Sequence, residues 1–210
     1  MPEFDPETER IRSIYNRRSA TAAPSRHDKN LEWLCSRADG DVLEVGVGRG
    51  RTFPYYPQGV RLHGIELSDV ALGIAQQRAL ELGLDATLRS GDATSLPFPD
   101  DHFDTVVFAY VLCTVPDDRR AVAEAVRVLR PGGRLLLVEH VRSTYLVMRS
   151  LERLFEPLAM RRWADHLLRE PLNHVMAEGL TIETLERHWL GVVERIAARK
   201  PQDNELAEAV

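Results

Sequence analysis

The sequence predicts an α/β fold: a doubly wound, mostly parallel central sheet with helices on both faces. Three observations predict it. Short apolar runs alternate with segments of helical period along most of the 210 residues. The first run breaks into glycines at every second position, "DVLEVGVGRGRT" over residues 41–52. The second run ends in an acid, Glu66, twenty residues beyond Gly46.

Each element follows in order. "DVLEV" reads as a buried strand, and "GVRLHGIEL" over residues 59–67 as a second. Between them Pro54 and Pro57 punctuate "RTFPYYP", so any helix after the glycine loop is short. "DVALGIAQQRALELG" has helical spacing, with Ser68 or Asp69 able to cap its start and Gly83 to stop it. "ATLRSGD" is a short strand and "FDTVVFAYVL" a buried one. "PDDRRAVAEAVRVLRPGG" carries acids at its start and arginines before Pro-Gly-Gly at its end, which fits a helix, and "RLLLVEHV" follows as a fifth strand. Residues 142–171 break the rhythm with a helical, arginine-rich insertion. After it, "TIETLERHWL" reads as a helix, "GVVERIAARK" as a strand, and residues 201–210 as a polar tail. One domain over residues 1–210 is expected, with residues 1–30 as an N-terminal cap.

Composition bounds the function. With 44% hydrophobic and 28% charged residues the chain has a soluble globular balance. A formal charge of -5 offers nucleic acid no electrostatic partner surface. Cys35 and Cys113 have no metal-ligand spacing, so no metal is expected, and both read as reduced thiols. The charged N-terminus lacks a secretory apolar core, and the longest apolar run, 106–115, is too short to span a bilayer. These features predict a cytoplasmic protein.

A strand, a glycine turn and a helix bring backbone N–H groups to the carboxyl edge of a sheet, and an acid at the end of the second strand reaches ribose hydroxyls. The spacing here is G-x-G-x-G, where a dinucleotide pyrophosphate needs G-x-G-x-x-G. Glu44 stands two residues before the first glycine. An acid there suits a cationic ligand, and S-adenosylmethionine carries a sulfonium and an ammonium.

"LEVGVGRG", "GIELS", "GDATSLPFPDDHFDTVVFAYVL" and "RVLRPGGRLLLVEHV" together resemble the class I S-adenosylmethionine-dependent methyltransferases, with their Rossmann-like fold. The likeness is greatest to the small-molecule branch that methylates quinones, phospholipids and thiols. It covers residues 41–141 well and the flanks weakly. The resemblance implies that Gly46, Gly48 and Gly50 form the loop at the methionine part of the cofactor, with Glu44 in support. Glu66 would bind the ribose hydroxyls and Leu67 lie against the adenine. Asp92 would accept from the adenine amino group, beside the backbone of Ala93, and Phe108, Ala109 and Tyr110 would border the methionine moiety and the substrate. The family sheet ends in a sixth strand and an antiparallel seventh, of which only "VVERIAAR" is evident here, so the last strand is expected to be missing, cryptic or replaced. Arg49 and Arg51 also stand where small residues are common.

Methyl transfer from a sulfonium needs orientation and exclusion of water, with a base only where the nucleophile must lose a proton. No "NPPY"-type motif points to a nucleobase, and no acid cluster to a catechol-type metal site. The methyl acceptor is therefore expected to be a small molecule, first a thiol, with a phosphatidylethanolamine-type phospholipid or a quinol as alternatives. His140, Tyr15 and Tyr110 are the candidate assisting groups, with His27 behind them. A nicotinamide-dependent oxidoreductase and a non-catalytic cofactor-binding protein are the alternatives of another class. Residues 142–171 are expected to form a substrate lid lined by Leu146, Met148, Leu151, Leu154, Phe155, Leu158, Met160 and Trp163. Membrane attachment of this segment is the minor reading, since Glu152, Glu156, Asp165 and Glu170 offset its arginines.

Overall fold

In the computed structural model, which describes residues 4–21 and 28–202, seven strands form one sheet. Five parallel strands come first: β1 (Asp41–Val45), β2 (Arg61–Glu66), β3 (Ala86–Ser90), β4 (Phe103–Ala109) and β5 (Leu129–His140). β6 (Thr181–His188) and β7 (Val193–Arg199) complete it in the order β3-β2-β1-β4-β5-β7-β6. β7 runs antiparallel to both of its neighbours. The strand order reverses between β1 and β4, which opens a crevice at the carboxyl edge.

Alternation along the inner strands builds a core on each face. In β5, Leu135 and Leu137 pack with Val106 and Phe108 of β4 under Ala121, Val122 and Ala125 of α4 (Asp118–Val128) and Val175 of α6 (Pro171–Ala177). The intervening Leu136 and Val138 join Val107 beneath Leu34 and Cys35 of α2 (Lys29–Cys35) and Ala75 and Ala79 of α3 (Asp69–Leu82). A strand buried on both sides must be apolar at every position, which is why "TVVF" and "LLLV" show no polar phase. The helix ends match their sequence signals except at the end of α4, where Arg130 and the Pro-Gly-Gly expected to close the helix already belong to β5. The Ser68 hydroxyl accepts from the Ala71 N–H at 3.1 Å, the Asp117 side chain accepts from Arg120 N–H, and Gly83 closes α3 with φ 62°. The segment after the glycine loop is one 3-10 turn, Phe53–Tyr55.

The C-terminal reading needs correction. Residues 181–188 are a strand, not a helix, and the antiparallel final strand is present. Thr181, Ile182 and Thr184 are β-branched, and exposed Thr181, Glu183 and Leu185 alternate with half-buried Ile182, Thr184 and Glu186. That is period two. The full hairpin closes the sheet, so β5 is an inner strand. The tail from residue 203 on and His27 lie outside the described residues.

Two further helices complete the chain. α1 (Pro6–Thr21) lies over the carboxyl end of β2, with Ile11 and Ile14 packing on Leu67 and on Ala164. Ala164 ends α5 (Leu146–Trp163). Among the described residues no helix is long and apolar enough to cross a membrane.

The β6–β7 turn carries local strain. Trp189 (φ 53°) and Leu190 (φ 57°) precede Gly191 (φ 77°), all in the left-handed region. Hairpins with such turns favour Asn-Gly, because side chains at positive φ cost roughly 1–2 kcal/mol each. Both side chains are also largely exposed, so little packing repays them. The double variant Trp189→Asn/Leu190→Gly is expected to raise the unfolding free energy by about 1 kcal/mol, measured by urea denaturation. An unchanged or lower midpoint would mean that these side chains stabilise the fold.

Candidate active site

The carboxyl ends of β1, β2, β4 and β5 surround a cavity of about 490 Å³. The glycine loop forms one wall. Gly46 has φ 75°, and a Cβ there would come within 2.6 Å of the Val111 side chain. Gly50 has φ 70°, and its Cβ would strike the Phe53 ring at 2.5 Å. Gly48 has φ 54° and nothing within 4 Å of its would-be Cβ, because it faces the open cavity. The first and third glycines shape the turn, and the middle one leaves room for a ligand.

Three buried carboxylates organise the strand ends. Glu66 Oε2 accepts from the Gly48 N–H at 2.7 Å and Oε1 from the Ser68 N–H at 2.8 Å. One side chain thereby ties the glycine loop to the start of α3. Each oxygen keeps a lone pair for a hydroxyl donor from the cavity. Burial raises its pKa against the pull of these N–H groups. Glu44 accepts from the Thr52 hydroxyl at 2.8 Å and from the Tyr56 hydroxyl at 3.0 Å. Among the described residues no cation offsets its desolvation, and burial pushes its carboxyl up to about 8. Glu139 Oε1 accepts from the N–H groups of Val111 and Leu112 at 2.8 and 3.0 Å, while Oε2 is buried without a partner. Burial pushes that carboxyl up to about 7.

The rest of the wall is made by α1, the loop after β4, and the end of α5. Tyr110 sits at φ 59°, and its hydroxyl accepts from Asn30 Nδ2 at 2.9 Å. Its ring lies 4.7 Å from that of His140, tilted by 33°. The surrounding protein lowers the His140 pKa, so its imidazole is neutral near pH 7, and burial pushes the Tyr110 phenol up to about 12. Burial raises the Tyr15 phenol and the Cys113 thiol as well, and both stay protonated. Asp165 completes this wall. Its carboxylate has no side-chain hydrogen bond among the described residues, and burial raises its pKa while Arg18 and His140 oppose that shift.

Most of the candidates from the sequence therefore meet in one place. Glu44, Gly46, Gly48, Glu66, Leu67, Asp92, Ala93, Ala109, Tyr110, His140 and Tyr15 all line the cavity. Two do not. Phe108 points into the α4 core and is fully buried, because inner-strand side chains alternate and its neighbours Val107 and Ala109 take the other face. Gly50 serves the turn against Phe53. Asp92 keeps its turn role, with Oδ1 accepting from the Thr94 N–H at 2.8 Å, and lines the cavity too. From the insertion, Asp165 reaches the cavity, while Leu146, Leu151, Leu154, Phe155, Leu158 and Trp163 stay exposed and line none of it. Glu139 and Asp165 were not anticipated. Glu139 had a signal, a single acid inside "LLLVEHV"; Asp165 had none, since it stands between two helices.

This donor set fits an adenosine cofactor with a cationic amino-acid end. Glu66 offers lone pairs to a ribose, Gly48 leaves space, and buried Glu44 lacks a cation among the described residues. The comparisons agree. Residues 43–137 match the sequence model of the family described as a methyltransferase domain. Phosphatidylethanolamine N-methyltransferase of Cereibacter sphaeroides is 44% identical over 103 residues, covering 48% of this chain and 51% of that one. The ubiquinone/menaquinone biosynthesis C-methyltransferase of Dinoroseobacter shibae is 37% identical over 117 residues, 53% and 47% of the two chains. The chain thus spans about half the length of these curated relatives. Geranyl diphosphate C-methyltransferase of Streptomyces coelicolor superposes with a TM-score of 0.75 at 16% identity, covering 95% and 100%. The cyclase SpnF superposes with 0.76 at 21%, covering 94% and 98%. At such identities the superpositions establish the fold alone.

Fold and site define a Rossmann-like domain built for an adenosine-containing cofactor. Residues 43–137 carry a methyltransferase domain, and the chain is similar to class I S-adenosylmethionine-dependent methyltransferases that act on small molecules, which with this donor set makes S-adenosylmethionine the cofactor that the site fits. The nicotinamide reading is set aside.

The glycines give a paired test. Gly46→Ala should lose about 1–3 kcal/mol of stability through its clash with Val111. Gly48→Ala should lose only about 1 kcal/mol yet bind S-adenosylmethionine about tenfold or more weakly. Thermal unfolding and titration calorimetry measure the two effects. Undiminished affinity in Gly48→Ala would remove the loop from the cofactor site.

Proposed function

We propose that the protein methylates a small lipophilic acceptor, first the amino headgroup of a phospholipid. The carrying observation is Asp165, a half-buried carboxylate on the cavity wall, without a side-chain hydrogen bond among the described residues. It suits an ammonium, which it would hold and orient. S-adenosylmethionine, when bound, supplies a methyl group already activated on a sulfonium. The chain's task is then positioning and proton removal. An alkylammonium must lose a proton before its nitrogen can act as a nucleophile. His140, neutral and charge-coupled to Asp165, is suited to accept that proton at a ring nitrogen. The Tyr110 ring lies against that of His140, tilted by 33°. α1 and the residues after α5 supply part of the cavity wall.

The relatives support this reading over the thiol that the sequence favoured, since those reported above are named for phospholipid and quinone acceptors. A quinol is the second reading. His140 beside the aromatic face of Tyr110 favours it, as a neutral base for a phenolic proton.

The test is a transfer assay with methyl-labelled S-adenosylmethionine against phosphatidylethanolamine, a quinol and small thiols. Label is expected in the phospholipid amine. Asp165→Asn should raise KM for that acceptor about tenfold, the loss of one charge-assisted hydrogen bond of ~1.5 kcal/mol, with cofactor affinity unchanged. Label in the quinol selects the second reading, and label in thiols alone contradicts both.

A further inference from the structure

α5 is turned inside out. Its two acids face the protein: Glu152 is buried and accepts from the Ser143 N–H at 3.0 Å, and Glu156 Oε2 accepts from the Leu167 N–H at 2.6 Å. Arg149 folds inward onto the Ser143 carbonyl. Its outer side carries Val147, Leu151, Leu154 and Leu158, one stripe at helical spacing, with Phe155 beside it, all exposed. Arg153, Arg161 and Arg162 are exposed too, while no acid of the helix is. The acids that offset the arginines in the sequence thus do not offset them on the surface.

A second segment extends this face. The Ser143 hydroxyl donates to the Leu190 carbonyl at 2.6 Å, and a Cβ on Gly191 would touch Thr144, so the β6–β7 turn abuts the start of α5. There Trp189 is 78% and Leu190 58% exposed, both in the strained left-handed conformation, next to exposed Tyr145 and Leu146. A contiguous apolar surface of this kind marks a contact with something else.

We infer that α5 and the Trp189–Leu190 turn form a peripheral docking face for an anionic phospholipid bilayer. The apolar stripe would enter the headgroup region, with the arginines left at phosphate level by their long stems. Charge complementarity selects this occupant over a second copy of the chain. A twofold contact through the stripe would bring the arginines to a face on which no acid of α5 is exposed to pair with them. The net charge of -5 makes the basic face a local feature that neutral or cationic surfaces would not attract. The face also adjoins the cavity: the Trp163 carbonyl accepts from Arg18 of α1 at 3.2 Å, and Asp165 lies two residues on. Docking deepens the lipid-acceptor reading but does not need turnover to be observed.

The test is sedimentation with vesicles of phosphatidylglycerol and phosphatidylcholine, against phosphatidylcholine alone, at low and high salt. The wild-type chain should bind the anionic vesicles about tenfold or more tightly than the neutral ones and lose most of that binding in high salt. Arg161→Glu/Arg162→Glu should abolish the preference for anionic vesicles, and Leu154→Glu/Leu158→Glu should abolish binding, with S-adenosylmethionine affinity unchanged in both. Hydrogen exchange on the unmodified chain supplies a readout free of folding defects. Vesicles should slow exchange in residues 145–163 and 188–192. Failure of the wild type to bind anionic vesicles, equal binding by the variants, or protection elsewhere would overturn the inference. So would a dimer that these variants dissolve. Vesicle binding without methylation leaves the docking face and removes the acceptor reading; methylation of detergent-dispersed lipid without vesicle binding does the reverse.

Discussion

The site depends on keeping carboxylates out of water at the carboxyl edge of a parallel sheet. Glu44, Glu66 and Glu139 end or nearly end β1, β2 and β5, and each is at most 7% exposed. A buried carboxylate is costly unless donors meet it. Glu66 recruits the Gly48 and Ser68 N–H groups, and Glu139 those of Val111 and Leu112. The loops after β1 and β4 are therefore held by side chains from neighbouring strands, and the loop after β2 by its own last residue. Gly46 belongs to the same arrangement, since only a residue without Cβ lets its loop pass under Val111. The cavity is a consequence: three loops are pinned back, and the space between them stays open.

Much of this was readable from residue types alone. The strand–glycine–helix order, the spacing of Glu66, the Ser68 cap and the Gly83 stop are local signals, and local signals survive folding. The hairpin was misread because Thr181–His188 mixes acids with a half-buried edge pattern, and its period of two is weaker than the apolar runs of the inner strands. Of the three neighbours Phe108, Ala109 and Tyr110, only Phe108 turns away from the cavity. In a strand apolar on both faces, sequence does not say which residue points to the ligand and which to the core. Asp165 was invisible because the packing of α5 against α1 brings it to the cavity, and no spacing rule encodes that contact.

α5 shows the same limit in another form. Its sequence mixes arginines with acids, and a count of charges along residues 142–171 has the acids offset much of the positive charge. Folding sorts those charges by direction: Glu152 and Glu156 turn inward onto backbone N–H groups, and the apolar residues turn out. A helical stripe can be read from sequence, but which way it faces depends on what the other side of the helix has to hold.

Glu44 bears on the central claim, that this cavity receives the cationic end of S-adenosylmethionine. Its raised pKa means that the free protein binds this proton more tightly than the unfolded chain does. The stability so contributed is full below the ordinary carboxylate range and is lost as pH rises through about 8. A cation arriving beside Glu44 lowers that pKa and expels the proton. Calorimetric titration of S-adenosylmethionine at pH 7, in buffers of different ionisation enthalpy, counts protons directly. The account predicts net proton release by the wild type and its absence in Glu44→Gln. Binding with the same proton count in both proteins, or no binding at all, would contradict it.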